Sequence, residues 1–190
     1  MSIETDRKKE VVNIWLDLFI EKGLTATSTR DLSSALKMQN AALYYYFESK
    51  EDAVIACAEE AAIRLENALI PPALKEIHNP DMMMERLQSR AEDMSPTMRF
   101  LVTVCAGSQY KDKMKPALCR LVQRYDYYAG QVAEELNCEK SEILPYVYMI
   151  VTSVVNYMIF GDESFLVPQM GLFKEEIKQL FIKKIDPKQS

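Results

Sequence analysis

The chain has a single histidine, His78, among its 190 residues. Zinc sites built on imidazole pairs are therefore excluded, and a catalytic triad is left without a plausible base. Its five glycines form neither a phosphate-cradling G-x-x-x-x-G-K loop nor a G-x-S-x-G nucleophile elbow. The four cysteines, Cys57, Cys105, Cys119 and Cys138, contain no C-x-x-C pair. That argues against a structural metal and against a secreted disulfide framework, and it fits a reducing cytoplasm. Neither metal nor cofactor is expected, and the chain does not read as an enzyme.

Other absences set the fold class. Asn-Gly and Asp-Gly hairpin signals are missing, and alternating β-branched runs are scarce. The opening MSIETDRKKE is charged, without the apolar core of a signal peptide. The most apolar run, Tyr146 to Phe160, carries Thr152, Ser153 and Asn156. It also falls short of the roughly 20 residues of a membrane span, so it is expected to be a buried helix. With 48% hydrophobic and 27% charged residues, the composition is that of a soluble all-α protein of long helices and short joints.

The most informative stretch is Thr27 to Lys50, TSTRDLSSALKMQNAALYYYFESK. Ser28 and Asp31 have capping-box spacing, and Leu32, Ala35 and Leu36 then fall on one helical face. Lys37 and Met38 make a turn. A second short helix, Asn40 to Phe47, places Leu43 and Phe47 four residues apart and inward. Ser49 and Asp52 form another box, opening a long helix at Lys50. Two short helices across a tight turn are the geometry of a helix-turn-helix, whose second helix enters the major groove.

The run Leu43-Tyr44-Tyr45-Tyr46-Phe47-Glu48-Ser49-Lys50-Glu51 resembles the L-Y-Y-H-F-x-S-K-E signature of the TetR family of transcriptional regulators. Leu18 to Gly23 is similar to that family's L-F-x-E-x-G, and Thr27 to Leu32 to its T-S-x-R-D-I. The resemblance covers roughly residues 8 to 52. It implies a helix-turn-helix domain over residues 1–50 and a helical effector-binding and dimerisation domain over 51–190, about nine helices in all. It further implies a sequence-specific, cytoplasmic DNA-binding regulator, a homodimeric repressor released by a small molecule. Two departures stand out. Leu36-Lys37-Met38-Gln39 replaces A-G-V-S, so Lys37 must either strain or turn differently where glycine would take positive φ. Tyr46 replaces the common histidine.

Carried over residue by residue, the resemblance makes Thr29 a phosphate contact and Arg30 a base contact, its fork matching guanine O6 and N7. Gln39 and Asn40 would pair with adenine, Ala42 would meet a thymine methyl, and Tyr44 and Tyr45 would clamp phosphates. Tyr46 falls at a base-contact position. Lys50, at a helix N-terminus, suits a phosphate. Three consecutive tyrosines spread over about 200° of a helix, so they cannot all be core. Composition gives no help: residues 1–52 hold seven cations and nine anions. A DNA-binding face must come from arrangement. An interaction protein of the same fold that no longer reads DNA is the alternative.

Elsewhere, Glu4 to Lys22 reads as the first helix, with Trp15 in its core face and Gly23 as C′. The fourth helix is expected to stop at Pro71-Pro72, and Ser95-Pro96 to begin a new one after a helix ending near Asp93. Helices follow over about Lys113–Asn137, Ser141–Phe160 and Pro168–Ile185. Met149, Ser153, Asn156 and Phe160, with Phe173, Ile177, Leu180 and Phe181, are expected to form a dimer face. Met83, Arg86, Met98, Tyr125, Tyr128 and Tyr148 are candidates for an effector pocket suited to a lipophilic or aromatic molecule. A stripe of such residues is also ordinary core. Cys105 and Cys119 read as inert thiols unless they approach one another.

Overall fold

The computed structural model describes residues 3–37 and 42–185. Every regular element among them is an α-helix: α1 Ile3–Lys22, α2 Thr29–Ala35, α3 Ala42–Tyr46, α4 Lys50–Lys75, α5 Pro80–Ala106, α6 Lys111–Leu136, α7 Lys140–Phe160 and α8 Leu166–Ile185. These are eight where about nine were expected, because prolines read as breaks are crossed. The chain passes Pro96 without ending α5, and α4 runs through Pro71 and Pro72 to Lys75. Each interior proline removes one donor. At Ser95 the hydroxyl turns back to the Ala91 carbonyl at 2.8 Å, adding a local bond beside the break.

Two compact units emerge, residues 1–65 with 96–117 and residues 66–95 with 118–190. Helices α4, α5 and α6 contribute residues to both. In the first, α1 buries Val11, Val12, Trp15, Leu16 and Phe19, the stripe that its 3–4 spacing predicts. Gly23 ends α1 at φ 89°, its N–H donating to the Phe19 carbonyl at 3.0 Å. The indole of Trp15 donates to the Leu32 carbonyl at 2.9 Å, fastening α1 to α2. Phe19 stacks on Phe100, centroids 5.7 Å apart. Cys57 is fully buried and its thiol is pushed above the ordinary range by that burial.

In the second unit α7 and α8 pack together, and each has a buried side: Ile150, Val154, Tyr157 and Met158 on α7, Met170, Phe173, Ile177 and Leu180 on α8. Gly161 closes α7 in the left-handed conformation at φ 71°. At 21 residues, with an 18-residue window of mean hydropathy 1.7, α7 is long and apolar enough to cross a membrane by length and composition alone. Core helices of soluble proteins pass the same test. Here one face is buried and the Tyr157 hydroxyl donates to Glu92 at 2.6 Å.

Candidate nucleic-acid interface

The head is assembled by caps. Ser28 caps α2: its Oγ accepts the Asp31 N–H at 3.2 Å, and Asp31 accepts the Ser28 N–H at 2.8 Å. Lys22 adds an ion pair to Asp31 at 2.7 Å. Lys22 and then Ser28 hold that carboxyl far below the usual range. Before α4 only half of the device recurs: Asp52 N–H donates to Ser49 Oγ at 3.1 Å, and the Ser49 hydroxyl donates to the Asp52 carboxylate at 2.6 Å. Between the caps, Lys37 takes φ 54°. The position that lacks the family's glycine does bend as a glycine would, at about 1–2 kcal/mol for a side chain held there.

Thr29 and Arg30 lie exposed at the start of α2. On α3, Tyr44 and Tyr45 are 66% and 72% exposed, while Tyr46 is half-buried. Phe47 follows them inward, 5.5 Å from Trp15. Buried Phe47 and bare Tyr44 and Tyr45 are thus neighbours in sequence, as helical spread requires. Lys50 is half-buried and its ammonium donates to the Thr27 carbonyl, so one of its three protons is engaged by the loop before α2. Gln39 and Asn40 lie outside the described residues, as does the side chain of Ala42.

Anions of the head that dominate its composition are answered by partners. Asp17 pairs with Arg64 at 2.5 Å, and Asp52 with Lys113 at 2.9 Å. Arg64 also donates to Asn13 Oδ1 at 2.6 Å. Counting residues 1–52 misses both cations, because Lys113 is far along the chain. No local signal in the sequence announces that pairing.

Residues 16–57 match the sequence profile described as bacterial regulatory proteins, tetR family. The chain carries a TetR-family amino-terminal domain. The match brackets α2, α3 and the first turns of α4, the segment whose outer face holds Arg30, Tyr44 and Tyr45. A stretch of 51 residues is 39% identical to the HTH-type transcriptional repressor KstR2 of Rhodococcus jostii (strain RHA1). It spans 27% of this chain and about a quarter, 25%, of that relative's length. The fold of the rest is that of TetR-family structures. One from Mesorhizobium loti MAFF303099 aligns at TM-score 0.63 with 12% identity, over 96% of this chain and 98% of that one. One from Streptomyces coelicolor aligns at 0.62 with 16% identity, over 95% and 82%.

The candidate effector residues of this chain fall into different settings. Met83 is buried, and so is Met98, which belongs to the first unit while the other five belong to the second. Arg86 is exposed and pairs with Glu76 at 3.0 Å. Tyr125 and Tyr128 sit near one buried carboxylate, Glu66, which accepts the Tyr128 hydroxyl at 2.7 Å and also pairs with Arg124. Burial first, then Glu66, pushes Tyr125 up to about 12. Tyr148 is exposed. A surface cavity of about 560 Å³ at the α6–α7 turn is lined by Gly130, Ala133, Glu134, Asn137, Cys138, Glu139, Lys140 and Glu142, and by none of the six.

The residues expected to form a dimer face fall into two settings. Ser153, Phe173, Ile177 and Leu180 are buried within the single chain. An amphipathic helix has one strongly apolar side, and in α8 that side is buried within the single chain. The Phe181 side chain lies outside the described residues. Met149 is half-buried, while Asn156 is exposed and Phe160 is 75% exposed. With Tyr148 and Thr152 they mark an open stripe on α7, and Phe165, Val167 and Leu172 stand open at the start of α8.

Proposed function

We propose that this protein is a homodimeric, sequence-specific regulator of transcription, a repressor that a small lipophilic or aromatic effector releases from a pseudo-palindromic operator. It acts in the cytoplasm. The observation that carries this reading is the bare α3 face, Tyr44 and Tyr45, inside the segment that matches the TetR family. Large aromatic rings held in solvent cost solubility unless something covers them, and Arg30 on α2 is exposed as well. Phenolic hydroxyls and a guanidinium suit phosphates and base edges.

A dimer through the open stripe of α7 and the start of α8 would present two such heads to successive major grooves, about 34–36 Å apart. The effector would favour a conformation with the heads wrongly spaced, lowering DNA affinity by a population shift. A domain division at residue 50 fits this, with the amino-terminal part reading DNA and the carboxy-terminal part sensing and pairing. A gel shift with the duplex upstream of the protein's own gene tests the reading. Binding that is strong and weakens steeply with salt is expected. Its absence at low salt would instead favour a helical interaction protein that keeps the fold.

A further inference from the structure

The start of α1 lies against the end of α3, and it does so by placing charge on rings. Lys8 Nζ stands 4.6 Å from the centroid of the Phe47 ring, over the negative face of the aromatic. One residue earlier, the Arg7 guanidinium bonds to the Glu10 carboxylate and also meets the Tyr46 hydroxyl. The rings themselves are braced. Phe47 leans on Trp15 at 5.5 Å, and Tyr46 meets Tyr45 edge-on at 4.9 Å. Two neighbouring cations therefore end on two neighbouring aromatics at the exit of α3, and both cations remain exposed.

We propose that Arg7 and Lys8 are phosphate contacts of the DNA interface, held in place by Tyr46 and Phe47, and that Tyr46 is a positioning residue and not a reader of bases. The proposal rests on the DNA-binding reading above. Its physical basis is preorganisation. Free arginine and lysine side chains lose about 2 kcal/mol of rotamer freedom when fixed, and a chain already parked on a ring or hydroxyl has less to lose. Glu10 first, then Tyr46, which lies next to the Arg7 guanidinium, hold its pKa above the ordinary value, so the place of Tyr46 in the head is accounted for without a base contact. Glu10 opposes the arrangement, since it neutralises the guanidinium that a phosphate would take. Replacing that carboxylate should strengthen binding.

The experiment is fluorescence anisotropy with a labelled mixed-sequence duplex, titrated from about 50 to 200 mM NaCl, because phosphate contacts appear in the salt slope whatever the sequence. Arg7→Ala and Lys8→Ala should each reduce the slope by about one. Tyr46→Phe, which keeps the ring and loses the hydroxyl, should reproduce Arg7→Ala, and the double variant should add nothing. Glu10→Gln should tighten binding several-fold at low salt. Unchanged slopes in Arg7→Ala and Lys8→Ala, with steep binding by the parent protein, would overturn the proposal alone. A Tyr46→Phe protein with a full slope but flattened preference among duplexes would make Tyr46 a base reader. Should Tyr46→Phe fold poorly, the exposed Arg7 and Lys8 variants decide by themselves. A parent protein without salt-dependent binding would take down the DNA reading and this proposal together.

Discussion

Residues 1–65 with 96–117 hold twelve cations and twelve anions, whereas residues 66–95 with 118–190 hold eleven and sixteen. All of the chain's net charge of −5 therefore belongs to the second unit. The two also differ in what they leave bare. Among the described residues the first exposes Tyr44, Tyr45 and Ile63, and the second exposes two tyrosines, Tyr127 and Tyr148, with a larger hydrocarbon set of Leu118, Val122, Phe160, Phe165, Val167 and Leu172. Rings with hydroxyl tips suit a polar polyanion, while hydrocarbon surface suits another protein face. Net charge taken over a whole chain thus hides that one unit is neutral and the other acidic.

The sharpest way to break this contrast is at the closed core of the first unit. Trp15→Ala removes a fully buried ring and the Leu32 hydrogen bond, and should cost about 3–5 kcal/mol in urea unfolding. A loss below about 1 kcal/mol, the size of an ordinary surface substitution, would mean that α1 is not the keystone of the head. Next in size is the open surface of the second unit. Phe160→Glu with Leu172→Glu should leave helix content unchanged yet turn a dimer into a monomer in sedimentation, since charge on an apolar face opposes its burial. A persisting dimer would move the interface elsewhere. Arg30→Ala should weaken operator binding by about 1–3 kcal/mol and relax base preference. Equal loss on every duplex would reassign it to phosphate.

Smaller effects sharpen the account of the turn and caps. Lys37→Gly should stabilise the protein by about 0.5–1 kcal/mol, because glycine takes positive φ without strain. Destabilisation would show that Lys37 is retained for other contacts. Asp31 has a folded pKa depressed below its unfolded value, by Lys22 first and Ser28 next. Its contribution is therefore present at neutral pH and lost as pH falls through about 4 and below. Asp31→Asn should flatten the acid side of a melting-temperature profile, leaving less to lose between about pH 5 and 3.

Where the sequence was legible, one local interaction decided the matter. Ser28 with Asp31 and the stripe from Val11 to Phe19 need no distant partner to specify a cap or a helix face. Lys37 was legible in the same way, as the site where a missing glycine must be answered. Ser95-Pro96 misled because a serine before a proline is also how a helix begins, and only tertiary packing tells a start from a passage. The α8 stripe was legible only in part: Phe173, Ile177 and Leu180 announce an apolar side but not what will cover it, and they are buried within the single chain. Lys113 with Asp52, 61 positions apart, lies beyond any pattern along the chain.

Cys57 sits without exposure beneath α1, its thiol bonded to the Val12 carbonyl at 3.6 Å, while Cys119 lies in the open. With Cys105 and Cys138 half-buried between these extremes, the four free thiols form a graded label whose two ends are Cys119 and Cys57. A thiol reagent added to the intact protein should tag Cys119 at once and Cys57 only when the head opens, so the lag between them clocks that opening without any dye, graft or mutation.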